Sequence, residues 1–357
     1  MFCTGHPPQE KSSALIIKSP HIQIAQPYLD RATPMKKTIS STLPLLVTVS
    51  VLTWLSTLMA GRFAIPYWGE ERMLFVADML ISFVFTLCAI FAAVALIRTH
   101  HYVDRITGQL DVKGLWNSMN MSLVTSGFAF TVAVYGMTSA SNLVELYRTG
   151  ANVWYDKLLW SIERPIFDLL LSSPLNIPWL WDEIYVLFWT SMILGLALLV
   201  IHGKMDRYLN ILMALVIAYF LTRSAALAFP TAGPAFYHPE LFHLQGTQSQ
   251  AWQDELRLYM TGQIAQSGYY PGTMAMPSLH VGMTAMLVWA LGKEWRSSLW
   301  ISVPGFLLAW ISTVMLGWHY VLDGVGGVGV AGLSCAAASG LARFFRIWMP
   351  DWKNKPS

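Results

Sequence analysis

Apolar runs of about twenty residues recur along this chain, and they limit its possible folds more than any other feature. Eight segments, at roughly 39–60, 73–97, 115–139, 183–202, 208–230, 278–295, 299–318 and 320–342, approach the ~20 residues that a helix needs to cross a ~30 Å hydrocarbon layer. Helices are the natural solution for such segments, because in lipid every backbone N–H and C=O must be satisfied within the span. With 55% hydrophobic and 12% charged residues, the chain has about half the charge usual in a soluble domain. That excludes a compact soluble domain, and the apolar content excludes a disordered chain. The expected fold is all-α: a polytopic transmembrane helical bundle of about eight spans.

The remaining segments divide the chain. Residues 1–34 are polar and proline-rich and read as a disordered tail. Met35-Lys36-Lys37 before an apolar run has the form of an N-terminus, so Met35 is a second candidate start. The run Ile39 to Ala60 is long for a signal-peptide core and no small-x-small site follows, so it reads as an uncleaved helix. Residues 35–140 form an N-terminal group of membrane helices. Its third apolar run is the weakest of the eight, diluted by Asn117, Ser118, Asn120, Ser122, Thr125 and Ser126. Residues 141–182 mix Trp154, Leu158, Leu159, Trp160 and Phe167 with Asp156, Lys157, Glu163, Arg164 and Asp168. This is the pattern of an amphipathic segment lying on the membrane surface. Residues 183–346 form a membrane core and 347–357 a cytoplasmic tail. The connection 231–277 is the longest, and long connections in tight bundles are usually functional or disordered.

Basic residues set the orientation. With the N-terminus cytoplasmic, sixteen Lys and Arg fall on the inside and six on the outside, with Arg223 alone inside a span. The positive-inside rule therefore expects both termini in the cytoplasm of a plasma or inner membrane. The net charge of +3 has this topological explanation, so no nucleic-acid partner is implied. The three cysteines, Cys3, Cys88 and Cys335, are too few and too scattered for a disulfide framework or a metal cluster.

Chemistry-bearing residues converge on the outer side. Pro277-Ser278-Leu279-His280 opens the sixth run, and His319-Tyr320-Val321-Leu322-Asp323 lies at the turn from the seventh to the eighth. Arg223 stands about seven residues, roughly 10 Å, before the outer end of the fifth. The loop Pro230-Thr231-Ala232-Gly233-Pro234 follows it. Each feature alone has an ordinary explanation: an interfacial histidine, a Ser N-cap, a Pro/Gly turn. A cation within a span, costing roughly 2.5 kcal/mol or more, calls for a polar interior and an anionic partner, either Asp323 or a ligand. Together the residues suit phosphoryl transfer. A guanidinium grips two phosphate oxygens, first-turn amides and Ser278 offer an anion site, one imidazole attacks phosphorus and the other protonates the leaving oxygen. Asp323 orients the attacking ring, and in a helical stretch His319 and Asp323 share a face.

On these residues the sequence resembles the phosphatidic acid phosphatase type 2 superfamily. That family carries Lys-x6-Arg-Pro, Pro-Ser-Gly-His and Ser-Arg-x5-His-x3-Asp elements. The second reads here Pro277-Ser278-Leu279-His280 and the third Ser312-Thr313-x5-His319-x3-Asp323, with Thr313 in place of Arg. Leu279 in place of Gly, the His-Tyr-x-x-Asp form and Phe229-Pro230…Gly233-Pro234 look more like the inositol phosphorylceramide synthase branch. The resemblance spans residues 183 to 342 and leaves out the first spans and the surface segment. For the first element a literal match stands at Lys157-x6-Arg164-Pro165, whereas Arg223 has the position in the bundle without the flanking Lys and Pro. Position favours Arg223, and Lys157 and Arg164 remain second choices.

The resemblance implies a six-helix phosphatase-type core in the C-terminal two-thirds and a metal-independent enzyme without a cofactor. His319 is the implied nucleophile, forming a phosphohistidine. Asp323 positions it, His280 is the acid and then the base, and Arg223 and Ser278 bind phosphate. Tyr237 and His238 in the long loop are candidates for substrate contact, as are Lys157 and Arg164. The expected activity is transfer of a phospho-head group from a phospholipid or polyprenyl phosphate to a hydroxyl acceptor at the outer leaflet. Two alternatives stand beside it: a lipid phosphate phosphatase, and a non-catalytic anion or lipid transporter.

Overall fold

The computed structural model describes residues 35–62, 77, 80–89, 92, 112–140, 154–261, 263 and 275–348. The expected disordered tail 1–34, most of the second apolar run and nearly all of the segment 347–357 lie outside the described residues.

Among the described residues the protein is all-helical. The longer helices are α1 (Met35–Arg62), α2 (Val112–Ala140), α3 (Asp156–Ser172), α4 (Pro178–Ile201), α5 (Met205–Ala228), α6 (Gln248–Met260), α7 (Leu279–Glu294), α8 (Leu299–Met315) and α9 (Val321–Trp348). Among the described residues five stretches are long and apolar enough to cross a membrane: Thr42–Met59, Pro178–Ile201, Met205–Ala228, Arg296–Met315 and Val321–Ile347. The other expected spans are not among these. Helix α2 has 29 residues, of which the side chains are described from Val124 to Ala140. Helix α7 has only 16 residues, about 24 Å at 1.5 Å per residue. Of the second run, the described part is the short apolar helix Leu80–Ala89.

Helix α5 is the central post. It packs against α1, α2, α4, α7 and α9, and it is buried along most of its length, from Tyr208 and Leu209 through Ile211 to Ala218. Apolar residues on all sides of a helix mark one enclosed by other helices. The outer helices instead turn large apolar side chains outward. Trp300 is 86% exposed and Ile301 81%. On candidate spans such surfaces are satisfied by lipid. The several apolar helices make this an integral membrane protein.

At one end of the bundle, cationic and acidic side chains tie the helices together. Glu294 at the end of α7 accepts from Lys204 (2.9 Å) and Arg207 (3.0 Å) at the start of α5. At the other end, α3, α6 and the described parts of the connection between α5 and α7 build a cap. That loop is not a bare coil: it holds helical turns at Pro234–Tyr237 and Pro239–Leu241 before α6. A second buried cluster, including Leu159, Trp160, Phe167, Trp181, Trp318 and Tyr320, fastens this cap to the bundle.

Candidate active site

The close approach of α7 and α9 sets the site. Gly282 and Gly327 face each other so closely that a Cβ on Gly282 would stand 2.8 Å from the Gly327 carbonyl oxygen. A Cβ on Gly327 would collide with the Ser278 carbonyl oxygen. Two helices meet at this distance only where neither has a side chain. At the N-terminal end of both helices the Ser278 amide donates to the Asp323 carbonyl at 2.8 Å. Ser278 itself is fully buried and is the N-cap of α7, its Oγ accepting from the Val281 amide at 3.4 Å. The cap role read from the sequence therefore holds. The amides of Leu279 and His280, in the first turn, have no acceptor one turn back and point out of the helix end.

His319 sits in the turn between α8 and α9. Gly317 takes φ 68° there, and the Trp318 and His319 amides both donate to the Thr313 carbonyl, at 3.0 and 3.2 Å. The turn fits against the Gly233 loop: the Ala235 amide donates to the Gly317 carbonyl at 2.9 Å. Gly233 has φ 107°, and a Cβ there would stand 2.6 Å from the Trp318 carbonyl oxygen, so both its conformation and its surroundings require glycine. Thr313, where the family element has arginine, is buried, and its hydroxyl donates to the Trp310 carbonyl.

The histidine–aspartate spacing works differently from the expected shared helix face. Helix α9 begins at Val321, so His319 precedes it and Asp323 lies in its first turn. The Asp323 Oδ2 turns back to accept the Tyr320 amide at 2.7 Å and stands 3.6 Å from His319 Nδ1. The direct partner of Nδ1 is the Ala275 carbonyl, at 2.7 Å. A carbonyl only accepts, so Nδ1 carries the hydrogen and the lone pair is left on Nε2. Asp323 stands behind the ring at ion-pair distance, where its charge acts on the imidazole.

His280 faces His319, with ring centroids 6.2 Å apart. Three aromatic residues of α4 enclose it: Tyr185 and Phe188, each at 4.8 Å, and Trp189 at 6.2 Å. Arg223, half-buried in α5, lies within electrostatic range of His280. The structure thus brings together His280, His319, Asp323, Ser278 and Arg223. It does not bring Lys157 and Arg164 into this group. Lys157 is exposed, and Arg164 is 68% exposed and pairs with Asp168 at 3.6 Å across one turn of α3. Tyr237 and His238 lie in the cap, where the His238 ring meets Trp160 at 4.5 Å and its Nδ1 meets Glu240 at 2.9 Å.

The acidic residues of the surface segment have a role that its amphipathic pattern concealed. Glu163 accepts the Val321 and Leu322 amides, at 2.6 and 2.8 Å, and so caps the start of α9. Asp156 accepts the Ala232 and Gly233 amides, both at 2.9 Å, and the Tyr320 hydroxyl at 3.2 Å. Burial pushes both carboxyls above the usual carboxylate range, while the backbone amides pull them back down. Asp182 likewise accepts the first amides of α6, from Gln248 and Ser249. The available sequence signal was periodicity: Asp156 and Glu163 recur with Leu159, Trp160 and Phe167 on the buried face of α3. Glu163→Ala leaves two amides at a helix start without their acceptor, at a cost of about 2–4 kcal/mol. We expect a lowered unfolding midpoint in detergent, with Glu163→Gln, which keeps one acceptor oxygen, falling between Ala and the native residue.

An all-helical membrane protein in which two imidazoles face each other, backed by a carboxylate and flanked by a guanidinium, has the layout of a phosphatase- or phosphotransferase-type centre. The chain belongs to the PAP2 superfamily, whose sequence model matches residues 154–337. The match starts earlier than the resemblance read from the motifs, so helix α3, whose carboxylates hold the start of α9 and the Gly233 loop, lies within the family unit and not outside it. No curated protein and no solved structure matches the chain significantly.

Proposed function

We propose that this protein transfers a phospho-head group from a phospholipid or polyprenyl phosphate to a hydroxyl acceptor at the outer leaflet, through a phosphohistidine. The observation that carries this reading is the His319 ring, held by Nδ1–H donation to the Ala275 carbonyl with Nε2 as its basic nitrogen, and a second imidazole whose ring centroid is 6.2 Å from its own.

In the first step the Nε2 lone pair of His319 forms a bond to phosphorus as the bond from phosphorus to the leaving oxygen breaks. His280 gives that oxygen its proton. A bound phosphate anion favours the protonated imidazole needed for this. In the second step the acceptor hydroxyl attacks phosphorus, its proton passes to His280, and the N–P bond breaks to restore His319. Asp323 stabilises the positive charge that develops on His319. Arg223 and the Leu279 and His280 amides bind the phosphate oxygens, and the buried Ser278, instead of the direct phosphate contact expected of it, holds those amides in place as the N-cap of α7. No metal or cofactor is needed for these steps. Water in place of the acceptor gives lipid phosphate hydrolysis by the same chemistry, which is the alternative reading. The Leu279 form and the Gly233-Pro234 loop favour transfer, in the manner of the inositol phosphorylceramide synthase branch.

The proposed setting is a bundle of about eight spans, with α2, α7 and the run at 73–97 crossing beside the five apolar stretches. In it α4, α5, α7, α8 and α9 contribute to a six-helix core. Both termini are cytoplasmic and the site faces outward. A cysteine at Glu240, in the cap, reacts in this arrangement with an impermeant reagent on intact cells, and one at Asp206 does not. The reverse labelling contradicts the orientation. The function is tested by giving the reconstituted protein a labelled phospholipid with and without a hydroxyl acceptor. Transfer supports the main reading, release of phosphate supports the alternative, and neither contradicts both.

A further inference from the structure

Helix α3 has three faces rather than two. The first, with Asp156, Leu159, Trp160, Glu163 and Phe167, is buried against the cap. At 100° per residue, Lys157, Arg164 and Asp168 fall on a second face, all exposed. Leu158, Ile162 and Leu169 fall on a third, 55%, 55% and 70% exposed. A helix on an ordinary protein surface has a buried face and a wet face. A separate exposed apolar stripe beside a charged one belongs at a boundary between oil and water.

Continuity identifies the occupant of that stripe. The short connection Ser173–Ile177 leads from α3 directly into the candidate span α4, and Leu175 and Trp179 on the way are 65% and 66% exposed. Large apolar side chains thus stay exposed from α3 onto a helix that faces lipid, with a tryptophan at the junction, where that residue favours the headgroup level. We infer that α3 lies along the outer leaflet, with Leu158, Ile162 and Leu169 in the acyl-chain boundary and Lys157, Arg164 and Asp168 in water. Because Glu163 and Asp156 on its opposite face hold the turn that carries His319, the depth of this helix fixes the depth of the candidate nucleophile relative to the phosphate layer. This inference rests on the membrane setting with the cap outside, and only its link to the nucleophile rests on the proposed catalysis.

The test needs no turnover, so its failure and a failure of the catalytic reading are distinguishable. In a full-length background lacking Cys3, Cys88 and Cys335, single cysteines at 158, 162 and 169, or at 157, 164 and 168, carry an environment-sensitive fluorophore. The protein is reconstituted in phosphatidylcholine vesicles. Labels on the stripe are expected to be quenched at least about threefold more by doxyl-labelled lipid than by aqueous iodide, and labels on the charged face the reverse. Since all six positions are exposed, the label displaces no core packing. Equal iodide quenching of both sets overturns the inference. So does shielding of the stripe from both quenchers, which means that protein, such as a second copy, covers it.

Discussion

Replacing His319 by alanine removes turnover of a lipid phosphate substrate, by at least roughly 10³-fold, without unfolding the protein. The size of the effect follows from the role: with no Nε2 lone pair there is no covalent route, and only binding and positioning are left to act on water. Retained folding follows from the contacts. The ring makes one short hydrogen bond, to the Ala275 carbonyl, and losing it costs about 1 kcal/mol plus the local packing. The measurement is turnover in reconstituted vesicles alongside the elution profile and unfolding midpoint. A folded variant that keeps full turnover contradicts the assignment of the nucleophile.

The second large effect is expected where no polar group is touched. Gly327→Ala places a methyl group against the Ser278 carbonyl oxygen, backbone that has no rotamer to yield. The α7–α9 seam must open, which costs about 1–3 kcal/mol. The Ser278–Asp323 contact is lost and His280 moves away from His319. A displacement of about 1 Å at a reacting centre is enough for a 10²-fold loss. Gly329→Ala on the same helix is the control, because a Cβ there meets nothing within 4 Å. Exchanging an unconstrained helical glycine for alanine gains up to about 1 kcal/mol. The account predicts an inactive, destabilised Gly327→Ala and a Gly329→Ala at least as stable and active as the native protein. Equal behaviour of the two contradicts the argument that the seam builds the site.

Much of this arrangement was legible in the residues. Apolar runs gave the helices, because a span is long and its chemistry uniform. Ser278, His280, His319 and Asp323 were legible as a group because helix capping and the family's sequence elements both use few residue types at fixed spacings. Other parts were hidden for definite reasons. The Ala275 carbonyl that sets the His319 tautomer is backbone, so no residue type announces it. Tyr185, Phe188 and Trp189 around His280 look like any aromatic residues of an apolar span. Glu163 and Asp156 were hidden because residue type alone does not separate a carboxylate that caps another helix from one that meets water; only their place on one face with Leu159, Trp160 and Phe167 marks them. His319 and Asp323 come within 3.6 Å of each other without sharing a helix face, because Gly317 turns the chain before α9 starts. The same four-residue spacing serves a capping turn as readily as one turn of helix.

The central claim is a covalent bond between phosphorus and His319. The most direct measurement is to mix the reconstituted protein with a substrate carrying labelled phosphorus, quench it at high pH, where phosphohistidine persists, and map the labelled peptide. The account predicts acid-labile, base-stable label on the peptide containing His319, absent from His319→Ala. Turnover in the native protein with no covalent label, or with label on another residue, contradicts it.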